Sequence, residues 1–203
     1  MRLSVLIPAY NPPGDYLQNI IRTLSEQANR HDGVEIVVVD DGSEPNLEWT
    51  KQFPLVRYFR KENGGEGSVR NRLIAEASGE YIQFVDADDI ISDTALDIIF
   101  EHLDKGYDFI SYNWLADGNS GCQWQRKGTP YLNYAVWAYT FKKSFVDGYR
   151  FREDMPVGCD TEWLDRLPKS ENHIHDARHF IYYRFIGNEG SLCHRNMRGE
   201  FNK

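Results

Sequence analysis

The 203-residue sequence predicts an α/β fold, one domain with a mostly parallel central sheet flanked by helices. Three observations carry this. Apolar runs of strand length at 3–8, 34–39 and 80–85 are hydrophobic on both faces, which marks strands covered by helices on both sides. Between them lie segments whose apolar residues recur every three or four positions, as amphipathic helices require. Two of the strand runs end abruptly in carboxylates, Asp40-Asp41 and Asp86-Ala87-Asp88-Asp89, at what becomes the carboxyl edge of the sheet, where open α/β folds bind ligands.

In order, Leu3-Ser4-Val5-Leu6-Ile7-Pro8 is a buried strand stopped by Pro8 and the turn-forming Asn11-Pro12-Pro13-Gly14. Leu17, Ile20, Ile21, Leu24 and Ala28 give a helix with one apolar face, closed by Gly33. The second strand, 34–39, follows, making a βαβ unit with a right-handed crossover. Asn46 can cap a short helix to Phe53, and 55–59 is a third strand. Asn63-Gly64-Gly65-Glu66-Gly67-Ser68 is a flexible loop able to bring backbone amides to a ligand, and it opens a helix with Val69, Leu73, Ile74 and Ala77 inward. Arg70 and Asn71 are expected in that helix's first turn, where a bound anion would offset the conflict between Arg70 and the helix dipole. After the strand at 80–85, a helix runs over 92–105 and a fifth strand over 107–112.

From 113 to 149 the chain is rich in Trp, Tyr and Gly, with strand pieces at 122–126 and 136–141. Most of Trp114, Trp124, Tyr131, Tyr134, Trp137 and Tyr139 read as core, leaving one or two as a platform for a sugar ring. Residues 160–167 form a helix presenting Asp160 in its first turn, 173–175 and 180–185 are closing strands, and 187–195 is a polar tail.

Composition narrows the function. The net charge of −8 argues against general binding to nucleic acid or an anionic membrane. A mean hydropathy of −0.60 and strand-sized apolar runs leave no expected membrane span. Met1-Arg2-Leu3 leads straight into a strand, so no signal peptide is expected and the expected location is cytoplasmic, at the membrane periphery if the acceptor is there. Cys122, Cys159 and Cys193 have neither disulfide nor zinc spacing.

The acids carry the chemistry. Asp86 and Asp88, one residue apart in an extended chain, project the same way and could share a metal ion; equally, acids before a helix can cap it. With Asp40, Asp41, Arg70 and Asp160 at the same edge they describe a site for a nucleotide diphosphate held by Mn²⁺ or Mg²⁺, which prefer hard oxygen ligands.

The ordered blocks Val5-Leu6-Ile7-Pro8-Ala9-Tyr10-Asn11, Val37-Val38-Val39-Asp40-Asp41-Gly42-Ser43, Asn63-Gly64-Gly65 with Val69-Arg70-Asn71, and Ala77 to Asp89 resemble the family 2 inverting glycosyltransferases of the GT-A fold, over roughly the first half of the chain. The resemblance implies a nucleotide-sugar-binding half over 1–112 and an acceptor-binding half over 113–203 with a flexible C-terminal tail. It implies that Ala9, Tyr10 and Asn11 border the nucleobase, Asp40 holds base or ribose, Arg70 lies near the nucleotide, Asp86 contacts the ribose, and Pro8, Gly65 and Ala87 belong to the same nucleotide-binding set. Asp88 would hold the metal, His194 would join it there, and Asp89 would face the transferred sugar or cap the next helix. Asp160 would be the general base, although the family's usual Glu-Asp pair reads Cys159-Asp160 here and Glu153-Asp154 lies close by.

The activity so implied is metal-dependent transfer of one sugar, with inversion, from a nucleotide-diphosphate sugar (UDP-linked by expectation) to a glycan, lipid-linked or other hydroxyl acceptor. The alternative is a non-catalytic nucleotide-sugar or glycan-binding domain. A nucleotidyltransferase is disfavoured, because the turn Ala9-Tyr10-Asn11-Pro12-Pro13-Gly14 carries no cation.

Overall fold

The computed structural model describes residues 1–116 and 135–184. The expected strand at 122–126, the tail with His194, and Trp124, Tyr131, Tyr134, Cys122 and Cys193 fall outside the described residues.

The apolar runs become strands β1 (Leu3–Ala9), β2 (Val34–Asp40) and β4 (Tyr81–Phe84), almost wholly buried, with β3 (Val56–Arg60) beside β2. Helices α1 (Tyr16–Ala28), α2 (Gly65–Glu76) and α3 (Ala95–Leu103) cover them. The expected apolar face of α1 is buried as read, and Gln27 ties α1 to the start of α3 by donating to the Ser92 carbonyl and accepting from the Leu96 N–H, both within 2.9 Å.

The chain continues through β5 (Ile90–Ile91), β6 (Phe109–Ala116), β7 (Tyr139–Lys142), α4 (Lys143–Val146), α5 (Cys159–Arg166) and β8 (His173–Arg184). The two-residue β5 is not predicted from the sequence, and the two expected closing strands are one. The strands of the described residues form a single sheet in the order β3-β2-β1-β4-β7-β6-β8-β5. The block β3-β2-β1-β4 is parallel, and β7 enters antiparallel between β4 and β6. The sheet is therefore more mixed than the sequence suggests.

This order positions the site. The chain steps outward from β1 through β2 to β3, then returns to lay β4 on the other side of β1. The reversal opens a crevice at the carboxyl ends of β1 and β4, the place where such sheets bind ligands. The second half reaches that crevice through α5. Gly158, at φ +76°, turns the chain into α5 through the left-handed region that a β-carbon disfavours, and so brings Cys159 and Asp160 inward.

Candidate active site

The ends of β1 and β2 are pinned together. Asp41 N–H donates to the Ala9 carbonyl, Asn11 N–H to Ser43 Oγ, and Glu44 N–H to Asn11 Oδ1. Asp40 is fully buried and its carboxylate accepts from Ser43 N–H, Leu47 N–H and the Tyr58 hydroxyl. Burial alone would raise its pKa, but these donors outweigh it and hold the carboxyl below its usual range. The expectation that Asp40 holds base or ribose is thus corrected, since no surface of it is left to receive a nucleotide. Asp41 is also internal, taking Lys61 Nζ at 2.6 Å and the N–H groups of Gly64 and Gly65 at 3.0 and 2.9 Å. The amides expected to meet a ligand at the start of α2 already have an anion, and it is Asp41.

Of the β1 residues, Ala9 and Pro8 are covered to different degrees, whereas the Tyr10 ring is 56% exposed at the mouth of the crevice beside exposed Asn11. Tyr10 is the open face on this side.

After β4 the chain turns instead of continuing extended, with Asp89 N–H reaching back to the Asp86 carbonyl at 3.4 Å. The period-two argument for Asp86 and Asp88 therefore does not apply. The two carboxylates are nevertheless close enough that the charge of Asp88 raises the pKa of Asp86. Asp86 and Asp88 are half-buried at the crevice, while Ala87 is buried. Asp89 turns inward and accepts from the buried Tyr182 hydroxyl at 2.6 Å, which also accepts from Asp86 N–H at 3.1 Å. This corrects the expectation that Asp89 faces a sugar or caps α3, whose N-cap position is Thr94. Tyr182 stacks on Trp137 at 4.4 Å, so an aromatic pair of the second half braces the acid turn. A cavity of about 450 Å³ lies alongside, between α1 and β5, lined by Tyr16, Asn19, Thr23, Asp89 and Ile91 among others.

The centre of the crevice is Arg70. It lies in the second turn of α2, not the first, and is 1% exposed between the rings of Phe84 and Phe151. Nη1 contacts Glu66 Oε1 at 2.5 Å and also pairs with Asp160 Oδ1; Nη2 reaches Asp86 at 3.3 Å. So deeply covered a guanidinium offers almost no surface of its own. The expected role of Arg70 near the donor is replaced by that of a hub joining three carboxylates from three elements.

One cation against three acids leaves the cluster electron-rich. Burial raises the Asp160 carboxyl, Arg70 opposes that, and the charges of Glu66 and Asp86 add to the rise, so its pKa is pushed up to about 7. For Asp86 the same balance, with Asp88 and Glu66 as the repelling charges, ends at about 6. The Cys159 thiol, 3.4 Å from Arg70 Nη1, is driven up by burial and stays neutral.

Asn71, beside Arg70, faces the second half differently. Its amide accepts from Phe151 N–H and donates to the Phe151 carbonyl and to Glu153, all within 2.9 Å. Glu153 is therefore held at this clamp, and Asp154 pairs with exposed Arg152. Of the three acids the sequence offered as base, only Asp160 reaches the cluster. Glu66 and Tyr182 were assigned no role from the sequence. Glu66 carried a legible signal, the i,i+4 spacing to Arg70; nothing local marked Tyr182, 96 residues beyond Asp86.

A divalent cation fits the open acids. Asp88 is a half-buried hard oxygen donor beside another carboxylate whose pKa it raises, a repulsion that a bound cation would relieve. Among the described residues, the tighter groupings Glu66–Cys159–Asp160 and Glu101–His102–Asp176 already contain the guanidinium of Arg70 and of Arg178.

With this geometry in place, comparison with known proteins is decisive. A family model for glycosyl transferase family 2 matches residues 4–164. The chain belongs to glycosyl transferase family 2. This family 2 chain is 26% identical over 206 residues to a GalNAc(5)-diNAcBac-PP-undecaprenol beta-1,3-glucosyltransferase of Campylobacter jejuni, covering 91% of the chain and 65% of that protein. It is 31% identical over 222 residues to the minor teichoic acid biosynthesis protein GgaB of Bacillus subtilis, covering 98% of the chain and 24% of that protein. The S. aureus TarS 1–349 structure in complex with UDP-GlcNAc superposes with a TM-score of 0.81 at 21% identity, over 95% of this chain and 61% of that one. The mannosyltransferase PcManGT of Pyrobaculum calidifontis, in complex with GDP-Man and Mn²⁺, gives 0.69 at 18% identity, over 98% and 61%.

These likenesses establish the GT-A fold. The chain spans 65% and 24% of the length of the two curated relatives. Among the described residues no helix is long and apolar enough to cross a membrane.

Proposed function

We propose that this family 2 chain is a glycosyltransferase that moves one sugar, with inversion, from a nucleotide-diphosphate sugar to an acceptor hydroxyl, with Asp160 as general base. The observation that carries the proposal is the convergence of Asp160, from α5, with Asp86, from the end of β4, on Arg70 at the crevice. A buried carboxylate with a pKa of about 7 is well matched to taking a proton at neutral pH.

In the proposed reaction, Asp160 takes the acceptor's hydroxyl proton as its oxygen attacks the anomeric carbon. The bond to the diphosphate breaks on the opposite face and its electrons leave with the diphosphate. A single displacement of this kind inverts the centre. A bound Mn²⁺ or Mg²⁺ supplies Lewis-acid charge at the departing diphosphate. Asp88 is the residue proposed to hold it, with His194 of the tail as a second ligand. Tyr10, exposed at the mouth, would border the nucleobase, and half-buried Asp86 would face the ribose.

The TarS complex supports a UDP-linked donor, and the GDP-Man and Mn²⁺ in PcManGT support the metal. The relatives, a GalNAc(5)-diNAcBac-PP-undecaprenol beta-1,3-glucosyltransferase and a minor teichoic acid biosynthesis protein, support an acceptor hydroxyl on a larger, envelope-type chain.

The test is release of UDP from UDP-sugars, with Mn²⁺ present or chelated, in wild type, Asp88→Ala and Asp160→Asn. Loss of metal-dependent turnover in both variants is expected, and unchanged turnover in both overturns the proposal. One observation favours a non-catalytic binding domain instead: both oxygens of Asp160 are engaged, by Arg70 and by Val136 N–H. Tight metal-dependent UDP binding without turnover on any acceptor would support that reading.

A further inference from the structure

A general base needs a free lone pair, and each oxygen of Asp160 already accepts a hydrogen bond. Oδ1 is on Arg70 Nη1, and Oδ2 accepts from Val136 N–H at 3.1 Å. Oδ1 also accepts from the Cys159 thiol at 3.8 Å, so on this oxygen the guanidinium contact must loosen before a hydroxyl proton can be received. Withdrawing Asp160 from an arginine that is 1% exposed would strand a buried cation, the costliest way to break such a pair.

The same nitrogen has a second anion. Glu66 Oε1 lies 2.5 Å from Nη1, on the first turn of α2 and four residues before Arg70, a spacing that sets the two side chains over one another. The ligand atoms of Glu66, Cys159 and Asp160 all lie within 4.8 Å of one another, so Glu66 and Asp160 divide one N–H pair between them. Asp86 is poorly placed for this task, since it reaches the other nitrogen, Nη2, at 3.3 Å. Cys159, a neutral thiol, brings no charge. The Glu66 side chain is 23% exposed, so it is less confined than Arg70.

We propose that Glu66 is a positioning residue for Asp160: it keeps hold of Arg70 Nη1 so that Asp160 can swing off that nitrogen onto the acceptor hydroxyl. The inference rests on Asp160 being the base. It gives Glu66 a task on the transition-state side of the reaction and none in holding the donor.

The experiment compares Glu66→Gln, Glu66→Asp and Asp160→Asn with wild type. The first reading is kcat and donor KM for UDP-GlcNAc with Mn²⁺, using water or the identified acceptor. In Glu66→Gln, kcat is expected to fall about tenfold, a part of the roughly 10²–10⁴ that a general base contributes, with KM unchanged. Glu66→Asp should recover part of the loss.

The second reading needs neither metal nor turnover: the carboxyl carbon of Asp160, followed by NMR across pH in the free protein. The charged groups facing it are Arg70, Glu66 and Asp86, with Cys159 on its own helix. With Glu66 neutralised, Arg70 serves Asp160 undivided, so the Asp160 titration should move to lower pH. The shift shows that Glu66 and Asp160 share the field of Arg70, and only its pairing with a lower kcat at unchanged KM assigns Glu66 the positioning role. An unmoved Asp160 titration, or an unchanged kcat in Glu66→Gln beside an inactive Asp160→Asn, overturns the role of Glu66 alone. Full turnover in Asp160→Asn overturns the base assignment itself.

Discussion

Replacing Arg70 by methionine tests whether the buried cluster is one electrostatic unit. Methionine keeps an apolar stem between Phe84 and Phe151 but removes the cation that three carboxylates share. Taking one partner from a buried ion pair costs about 3–5 kcal/mol. At about 2–4 °C per kcal/mol for a chain of this size, the melting temperature should fall by about 6–20 °C.

The pH dependence separates this from simple loss of packing. Asp160 has a folded pKa of about 7, above the 3.8 of a free aspartate. A carboxyl raised in this way favours the folded state when protonated, so its contribution is fully present below pH 4 and is lost as pH rises through 7. Without Arg70 the folded pKa rises further, and the loss above neutrality deepens. The gap between wild type and Arg70→Met should therefore be small at pH 5 and full at pH 8. Urea unfolding followed by circular dichroism at both pH values, without metal, reads it directly. An equal gap at the two pH values, or a gap under about 1 kcal/mol at pH 8, would refute the idea that the acids depend on this arginine.

Two further predictions concern the scaffold. Glu35 is a buried carboxylate: burial raises its pKa, but Ser4, Arg57 and Ser78 outweigh that and bring it to about 2. A depressed carboxyl stabilises the fold above pH 4.5 and ceases to as pH falls toward 2, so Glu35→Gln should cost about 1–3 kcal/mol at pH 7 and nothing near pH 2, as read by denaturant titration at each pH. Alanine at Gly67 would place its Cβ 2.1 Å from the Arg152 carbonyl oxygen. The helix propensity gained, up to about 1 kcal/mol, should lose to a backbone clash of about 1–3 kcal/mol, so thermal melts should show Gly67→Ala less stable than wild type.

The parts of the fold that could be read from the sequence are those where local chemistry decides. The runs at β1, β2 and β4 are β-rich and apolar on both faces, and only burial in a helix-covered sheet satisfies such a pattern. Orientation at a strand end is another matter. Asp40 ends one apolar strand and Asp88 follows another, yet Asp40 points inward to Ser43 and to Tyr58 of the neighbouring strand while Asp88 stays half-buried, a difference set by contacts between separate elements. The sequence pairs Arg70 with a bound anion, whereas in the fold its anions are Glu66, Asp86 and Asp160, and only the first lies within a helix turn of it. Between Glu153, Asp154 and Asp160 no local pattern could choose. The choice is made by Asn71 and Arg152, which hold Glu153 and Asp154 outside, and by the left-handed turn at Gly158, which sends Asp160 inward.

These contacts give α2 a part that neither half of the chain has alone. Glu66 and Arg70 form one i,i+4 stripe on its surface, and Gly67 and Asn71 form the next. The first stripe carries the charges that meet Asp160; the second receives the backbone at 151–153, with Gly67 allowing the close approach and Asn71 imitating a strand partner for Phe151. The segment held by the second stripe leads within a few residues to Gly158 and α5, so the seat of Asp160 against Arg70 is set by the same helix that clamps the preceding chain. It follows that the clamp and the cluster should respond together. The Cβ that Gly67→Ala introduces meets the backbone at 152–153 first, and by pushing residue 152 outward it should shift α5 and lower kcat more than it raises donor KM. If kcat holds while stability falls, the two stripes are independent and α2 serves the fold and the site separately.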